Sequence, residues 1–124
     1  MARILIIDDN ADVRLLLRTA LEDVGHAVTE ADDGEEGVRM FRAEPSDLVI
    51  TDILMPNKEG LETIKDLRII TKELMIVAIS GGGRVNSVDF LEYATKLGAN
   101  ATLRKPFRIA DLHGAINTCL AAAK

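Results

Sequence analysis

Short apolar runs alternate along the chain with stretches in which apolar residues return every three or four positions, a pattern that predicts repeated β-α units around a parallel sheet. Five units can be counted, with strands predicted at Arg3–Ile7, Ala27–Ala31, Leu48–Thr51, Met75–Ile79 and Ala101–Leu103. Several of these are nearly continuous Ile, Leu and Val, as strands covered on both faces are. The second and fifth are weaker and are expected at the sheet edges. Between the first two strands, Val13, Leu16, Leu17, Ala20, Leu21 and Val24 make one buried helical stripe, and Gly25 closes that helix. The second helix is expected from Glu35 to Ala43, stopped by Pro45, and the third from Gly60 to Thr71 with Leu61, Ile64 and Leu67 facing the sheet. A fourth from Val88 to Leu97 ends at Gly98. The fifth runs from Ile109 to Ala122, with Ile109, Leu112, Ile116, Cys119 and Leu120 inward.

No linker, repeat or low-complexity stretch interrupts this pattern, so residues 1–124 read as one domain. Apolar residues make up 48 % of the chain and charged residues 28 %, which describes a globular protein with enough material for a core. The formal net charge of −5 removes the general attraction to phosphate backbones on which most DNA binding rests, and direct DNA contact is disfavoured. The longest apolar runs, Ile4 to Ile7 and Met75 to Ile79, fall far short of the roughly 20 residues that span a bilayer. Met1-Ala2-Arg3 leads straight into a strand without the features of a secretory signal, and the single Cys119 fits a reducing compartment. A cytoplasmic location is expected.

Ligands of open parallel sheets collect beyond the carboxyl ends of the strands. There the first strand runs into Asp8-Asp9, the third into Asp52, the fourth into Ser80, and the fifth is followed, after Arg104, by Lys105-Pro106. Three carboxylates gathered at one edge repel one another, so the site either raises a carboxyl pKa or binds a cation. Oxygen ligands without His or Cys select a hard ion. Mg²⁺, which keeps several waters and uses one or two carboxylates plus phosphate oxygens, fits better than Ca²⁺, because no loop carries a dense set of oxygen ligands. A Mg²⁺ site implies a phosphoryl ligand. Asp52, already ionised near neutral pH, can attack a phosphoryl group without a general base. Ser80 can donate a hydrogen bond to one phosphoryl oxygen, and Lys105 can bring a compact positive charge to another. A cis Lys105–Pro106 bond would direct that ammonium back over the sheet.

Plainer readings stand beside these. Asp8-Asp9-Asn10 can simply cap the helix that begins near Ala11. Asp52 before Met55-Pro56 can be a loop residue, and Ser80-Gly81 is ordinary turn chemistry. Gly81-Gly82-Gly83 lacks the GxxxxGK[ST] order of a nucleotide cradle. His26 and His113 have no metal-like spacing and are read as surface or packing residues, Cys119 as a small core residue, and Tyr93 and Phe107 as packing groups, with Phe107 close enough to help wall the site. Arg84 and Arg104 are read as solvated, with docking as an alternative.

Taken together, Asp8-Asp9 after an apolar strand, Asp52-Ile53-Leu54-Met55-Pro56, Ser80-Gly81, and Leu97-Gly98-Ala99 leading to Lys105-Pro106-Phe107 resemble the receiver domain of bacterial two-component response regulators. The resemblance spans essentially the whole chain. It implies a flavodoxin-like (βα)5 three-layer α/β sandwich with strand order 2-1-3-4-5. It also implies a stand-alone signalling switch that receives a phosphoryl group from a histidine kinase or phosphotransfer protein and binds a downstream protein target. By the same resemblance Asp52 is the phosphoacceptor, Asp9 a direct Mg²⁺ ligand, Asp8 a mostly water-mediated one and the carbonyl of Leu54 another, while Ser80 and Lys105 sense the phosphate. Such a switch catalyses only its own phosphorylation and dephosphorylation. Two features depart from the pattern. Thr102 stands where members commonly carry an aromatic ring, and the stretch from Ser80 to Gly98 is a few residues long, which makes its glycine-rich start a candidate mobile reporter.

Two other classes compete. A Mg²⁺-dependent phosphatase of the haloacid dehalogenase type also uses a strand-end aspartate, but needs a second acid two residues later, where this chain has Leu54. A receiver-like module that is never phosphorylated is the other, and retention of all five polar site residues argues against it.

Overall fold

The computed structural model describes residues 1–53, 60–81, 84–85 and 88–123. In chain order the elements are β1 (Arg3–Ile7), α1 (Ala11–Asp23), β2 (Ala27–Ala31), α2 (Gly34–Ala43), β3 (Leu48–Asp52), α3 (Gly60–Ile70), β4 (Met75–Ser80), β5 (Arg84–Val85), β6 (Val88–Asp89), α4 (Phe90–Leu97), β7 (Ala101–Arg104) and α5 (Ile109–Ala122). Five strands form a parallel sheet in the order β2-β1-β3-β4-β7. The two strands expected at the edges are there. Each crossover between successive strands of this sheet includes a helix, which returns the chain to the starting edge of the next parallel strand.

Side chains alternate between the two faces of each strand. Leu5, Ile7, Val49, Ile76 and Ala78 enter a core with residues of α2, α3 and α4, including Phe41, Ile64, Leu67 and Ala94. Ile4, Ile6, Leu48, Ile50, Val77, Ile79 and Leu103 enter the opposite core with Leu17 and Leu21 of α1 and Leu112, Ile116 and Cys119 of α5. Every residue of β3 is buried, and its first three, Leu48-Val49-Ile50, form an unbroken apolar run. Burial also pushes the Cys119 thiol pKa up, as expected of a core cysteine rather than a reactive one.

Several expectations need correcting. Leu16, Val24 and Ile109 were expected inward but are 53 %, 45 % and 40 % exposed. Tyr93, expected to pack, is 55 % exposed. The segment expected to start the fourth helix at Val88 instead pairs Val88–Asp89 antiparallel with Arg84–Val85, and the helix begins at Phe90. Gly82 and Gly83, the centre of the proposed mobile loop, lie outside the described residues.

Charged side chains tie the elements together at the surface. Arg68 of α3 donates to the carbonyls of Leu74 (2.6 Å) and Gly98 (2.8 Å) and to Asn100 Oδ1 (2.7 Å), bracing the ends of α3 and α4 against the starts of β4 and β7. On the opposite face Glu30 of β2 accepts from Arg14 Nε at 3.0 Å and from Arg18 Nη1 at 2.6 Å. The Arg18 hydrogen bond, then that of Arg14, holds the Glu30 carboxyl below its ordinary 4.5. A depressed carboxyl contributes stability that is present above the unfolded value and is lost as the pH falls through the lower folded one. Glu30→Gln is therefore expected to lower unfolding free energy at neutral pH by about 1 kcal/mol, a size limited by solvent around Arg18. The gap from wild type should close as denaturant melts are moved to acid pH; a gap independent of pH would contradict the assignment.

Candidate functional site

The strand alternation that sorts the core also sorts the polar residues at the strand ends. Asp8 and Asp52 continue the parity of Ile4, Ile6, Leu48 and Ile50, and Lys105 continues that of Leu103, so all three belong to the sheet face covered by α1 and α5. Lys105 Nζ lies 3.2 Å from Asp52 Oδ2 and 3.5 Å from Asp8 Oδ2. The Lys105–Pro106 peptide bond is cis. Among the described residues Asp8, Asp9 and Asp52 form a group in which one carboxylate oxygen from each lies within 4.8 Å of the others. Asp8 and Asp52 are buried, whereas Asp9 is exposed.

Local chain geometry holds each group. Asp8 follows the last residue of β1, and its N–H donates to the Ala31 carbonyl at 3.1 Å. Its Oδ1 accepts from the Asn10 N–H at 2.9 Å. Asn10 is the N-cap of α1, accepting from the N–H groups of Asp12 and Val13, so capping falls chiefly to Asn10 and leaves the aspartates for the pocket. Asp52 ends β3 in register with Ile79, and the Ile53 N–H continues to the Ile79 carbonyl. Ser80, fully buried, is the next residue of β4, and its carbonyl accepts the Lys105 N–H at 2.8 Å. Leu54 lies outside the described residues, as do Met55 and Pro56. Thr102 is half-buried in β7 opposite Ala78, and Phe107 is half-buried against the α1/α5 core.

Gly60 was read only as the start of a helix, and the structure gives it a second role. A Cβ there would sit 2.1 Å from the Asp52 carbonyl oxygen and 2.3 Å from Ile53 Cα, so the first turn of α3 lies directly on the backbone that carries Asp52. Alanine favours an isolated helix over glycine by about 1 kcal/mol, but the collision is with backbone that cannot rotate away. The overpacking cost of about 1–3 kcal/mol decides the sign. Gly60→Ala is expected to lower the thermal midpoint and, by shifting the end of β3, to slow phosphoryl loading; an unchanged or raised midpoint would refute this packing argument.

The electrostatics favour a cation. Burial pushes the Asp8 carboxyl above its ordinary pKa; the Asn10 N–H pulls it back, the charge of Asp52 raises it again, and Lys105 opposes that rise. Among the described residues Asp8, Asp9 and Asp52 stand against Lys105, an excess of negative charge, and the ligand atoms the three acids offer are oxygens. The residues present therefore fit a hard divalent ion. A cavity of about 710 Å³ is far from this chemistry: it lies at the opposite end of the strands, against Met1, Phe41, Pro45, Leu74 and Leu120.

The sequence profile of the response regulator receiver domain matches residues 4–117. The chain belongs to the response regulator receiver domain family. It is 35 % identical to a probable chemotaxis protein CheY of Rhizobium etli, over 98 % of this chain and 95 % of that one. It is 34 % identical to a probable transcriptional regulator ycf27 of Guillardia theta, covering 95 % of this chain but only 45 % of that protein. The crystal structure of a response regulator receiver domain protein from Clostridium thermocellum superposes with a TM-score of 0.89 at 32 % identity, over 98 % and 96 % of the two chains. Receiver domains are phosphorylation-activated signalling switches rather than enzymes turning over a free substrate. They interact with histidine kinases or phosphotransfer proteins and with downstream targets, typically with Mg²⁺ in the acidic pocket. No helix of the described residues is long and apolar enough to cross a membrane.

Proposed function

We propose that this receiver domain, residues 1–124, accepts a phosphoryl group on Asp52 from a histidine kinase or histidine phosphotransfer protein in a Mg²⁺-dependent reaction. The observation that carries the reading is the convergence of Asp8, Asp9, Asp52 and Lys105, drawn from three separate parts of the chain, within one pocket. Asp8, Asp9 and Asp52 would hold the ion, together with the Leu54 carbonyl. When bound, Mg²⁺ neutralises charge on the phosphoryl oxygens. Asp52 supplies the attacking oxygen and needs no base. Lys105, within reach of both Asp52 and Asp8, offsets negative charge as the phosphoryl group arrives, and Ser80 donates a hydrogen bond to it. Cleavage of the acyl phosphate by water resets the switch, and the domain acts in the cytoplasm through a changed protein-binding surface.

Intact mass after treatment with a small acyl phosphate, with and without Mg²⁺, tests the reading. One phosphoryl unit is expected on the wild type only with Mg²⁺. Sustained phosphate release from simple phosphomonoesters would instead favour a phosphatase, and absence of any labelling would favour a module that is never phosphorylated.

A further inference from the structure

Beside the acidic pocket lies a cation that phosphoryl transfer does not use. Arg14, in the first turn of α1, is only 18 % exposed in its side chain. Its Nη1 donates to the backbone carbonyl of Asp8 at 2.7 Å, and its Nε donates to Glu30 Oε1 at 3.0 Å. Asp8 is thereby held at both ends of its main chain, the N–H by the Ala31 carbonyl of β2 and the carbonyl by Arg14. A residue pinned on both sides has little freedom to redirect its Cα–Cβ bond, and the Asn10 N–H, donating to Oδ1 at 2.9 Å, then holds the carboxylate at the end of it. Glu30 in turn fixes the guanidinium and is itself braced by Arg18.

We propose that Arg14 is a positioning residue for the acidic pocket, orienting the Asp8 carboxylate toward a divalent cation through the Asp8 carbonyl, with Glu30 as its anchor. This rests on the Mg²⁺ reading above. The sign of the effect separates positioning from charge. A guanidinium near a metal site repels the incoming cation through space, so if only its charge mattered, its removal would tighten Mg²⁺ binding. Loss of orientation weakens it.

The test is a Mg²⁺ titration followed by amide NMR shifts of Asp8, Asp9 and Asp52, with thermal melts of the same samples. Arg14→Met is expected to bind Mg²⁺ about 10-fold more weakly than wild type, the usual scale for groups that orient a ligand. Glu30→Gln, which leaves one acceptor for two arginines' former pair of oxygens, should weaken it in the same direction by less. Unchanged or tighter binding in Arg14→Met overturns the proposal, as does a lower melting point with no change in affinity. If Arg14→Met does not fold, Arg14→Lys replaces it: a single ammonium cannot reproduce the fork to Asp8 and Glu30. Weaker Mg²⁺ binding is then expected, and wild-type affinity overturns the inference. Asp8→Asn establishes that the titration reports this pocket. If the wild type itself shows no Mg²⁺-dependent shifts there, the metal reading fails and takes the role of Arg14 with it, an outcome distinct from wild-type binding that Arg14→Met retains.

Discussion

Asp52→Asn is expected to abolish Mg²⁺-dependent phosphoryl incorporation while leaving the domain folded. The carboxamide keeps the shape of the side chain but is a poor nucleophile and no longer an anionic ligand. Its effect on stability should be small, because two opposed changes accompany it. The variant loses the 3.2 Å contact of Asp52 with Lys105. It also loses the repulsion that helps raise the Asp8 pKa. With Lys105 still 3.5 Å from Asp8, the ammonium retains a partner. Intact mass and a thermal melt on the same preparation check both halves. Labelling that persists at the wild-type level would move the acceptor elsewhere, and a collapsed melting transition would show that Asp52 is needed for folding.

The second large effect is expected at Lys105. Its ammonium lies against two buried acids, 24 % exposed beside Asp52 and Asp8 at 8 % and 2 %. Removing one partner of such a group leaves buried negative charge less well compensated, at a cost of about 3 kcal/mol. Lys105→Met should therefore be destabilised in metal-free buffer. Mg²⁺ and the ammonium answer the same negative charge, so they compete: the variant should bind Mg²⁺ about 10-fold more tightly and recover more stability from it than wild type does. Phosphoryl loading should still slow by about 10²-fold, since the charge that meets the phosphoryl oxygens is gone. Denaturant melts across a Mg²⁺ series check the first part. Equal Mg²⁺ stabilisation in variant and wild type would contradict the competition. The expected direction is opposite to that for Arg14, which touches the Asp8 carbonyl and not its carboxylate.

The strands were legible because β1, β3 and β4 are buried on both faces, which favours runs of Ile, Leu and Val such as Ile4–Ile7 and Leu48–Ile50. The convergence of the acids and the lysine was legible because they fall at or just past strand ends, along the carboxyl edge of the parallel sheet. What failed was subtler. Helical periodicity gives the direction in which a side chain points, but not whether another element lies beneath it. Val24 points toward the same side as Leu17 and Leu21, yet it is the C-cap of α1, where the chain leaves the sheet. Ile109 likewise points with Leu112 and Ile116, but it opens α5. Leu16 is about 100° around the helix from Leu17, on the flank of the stripe. The β5-β6 pairing was missed because two residues per strand are too few to show alternation. Arg14 and Gly60 were missed because both act on backbone atoms, which no side-chain motif records. One signal for Arg14 was available: Glu30 is a charged residue in the otherwise uncharged strand Ala27–Ala31, and a partly buried carboxylate there calls for a cationic partner.

On the proposed function the phosphoryl group rides on one carboxylate, that of Asp52 at the end of β3. Reduction of the freshly labelled protein with borohydride converts a phosphorylated aspartate to homoserine and leaves free carboxylates untouched, and fragment masses then read the converted position. Homoserine at position 52 alone is the expected result. Conversion at Asp8 or Asp9 with Asp52 intact would contradict it.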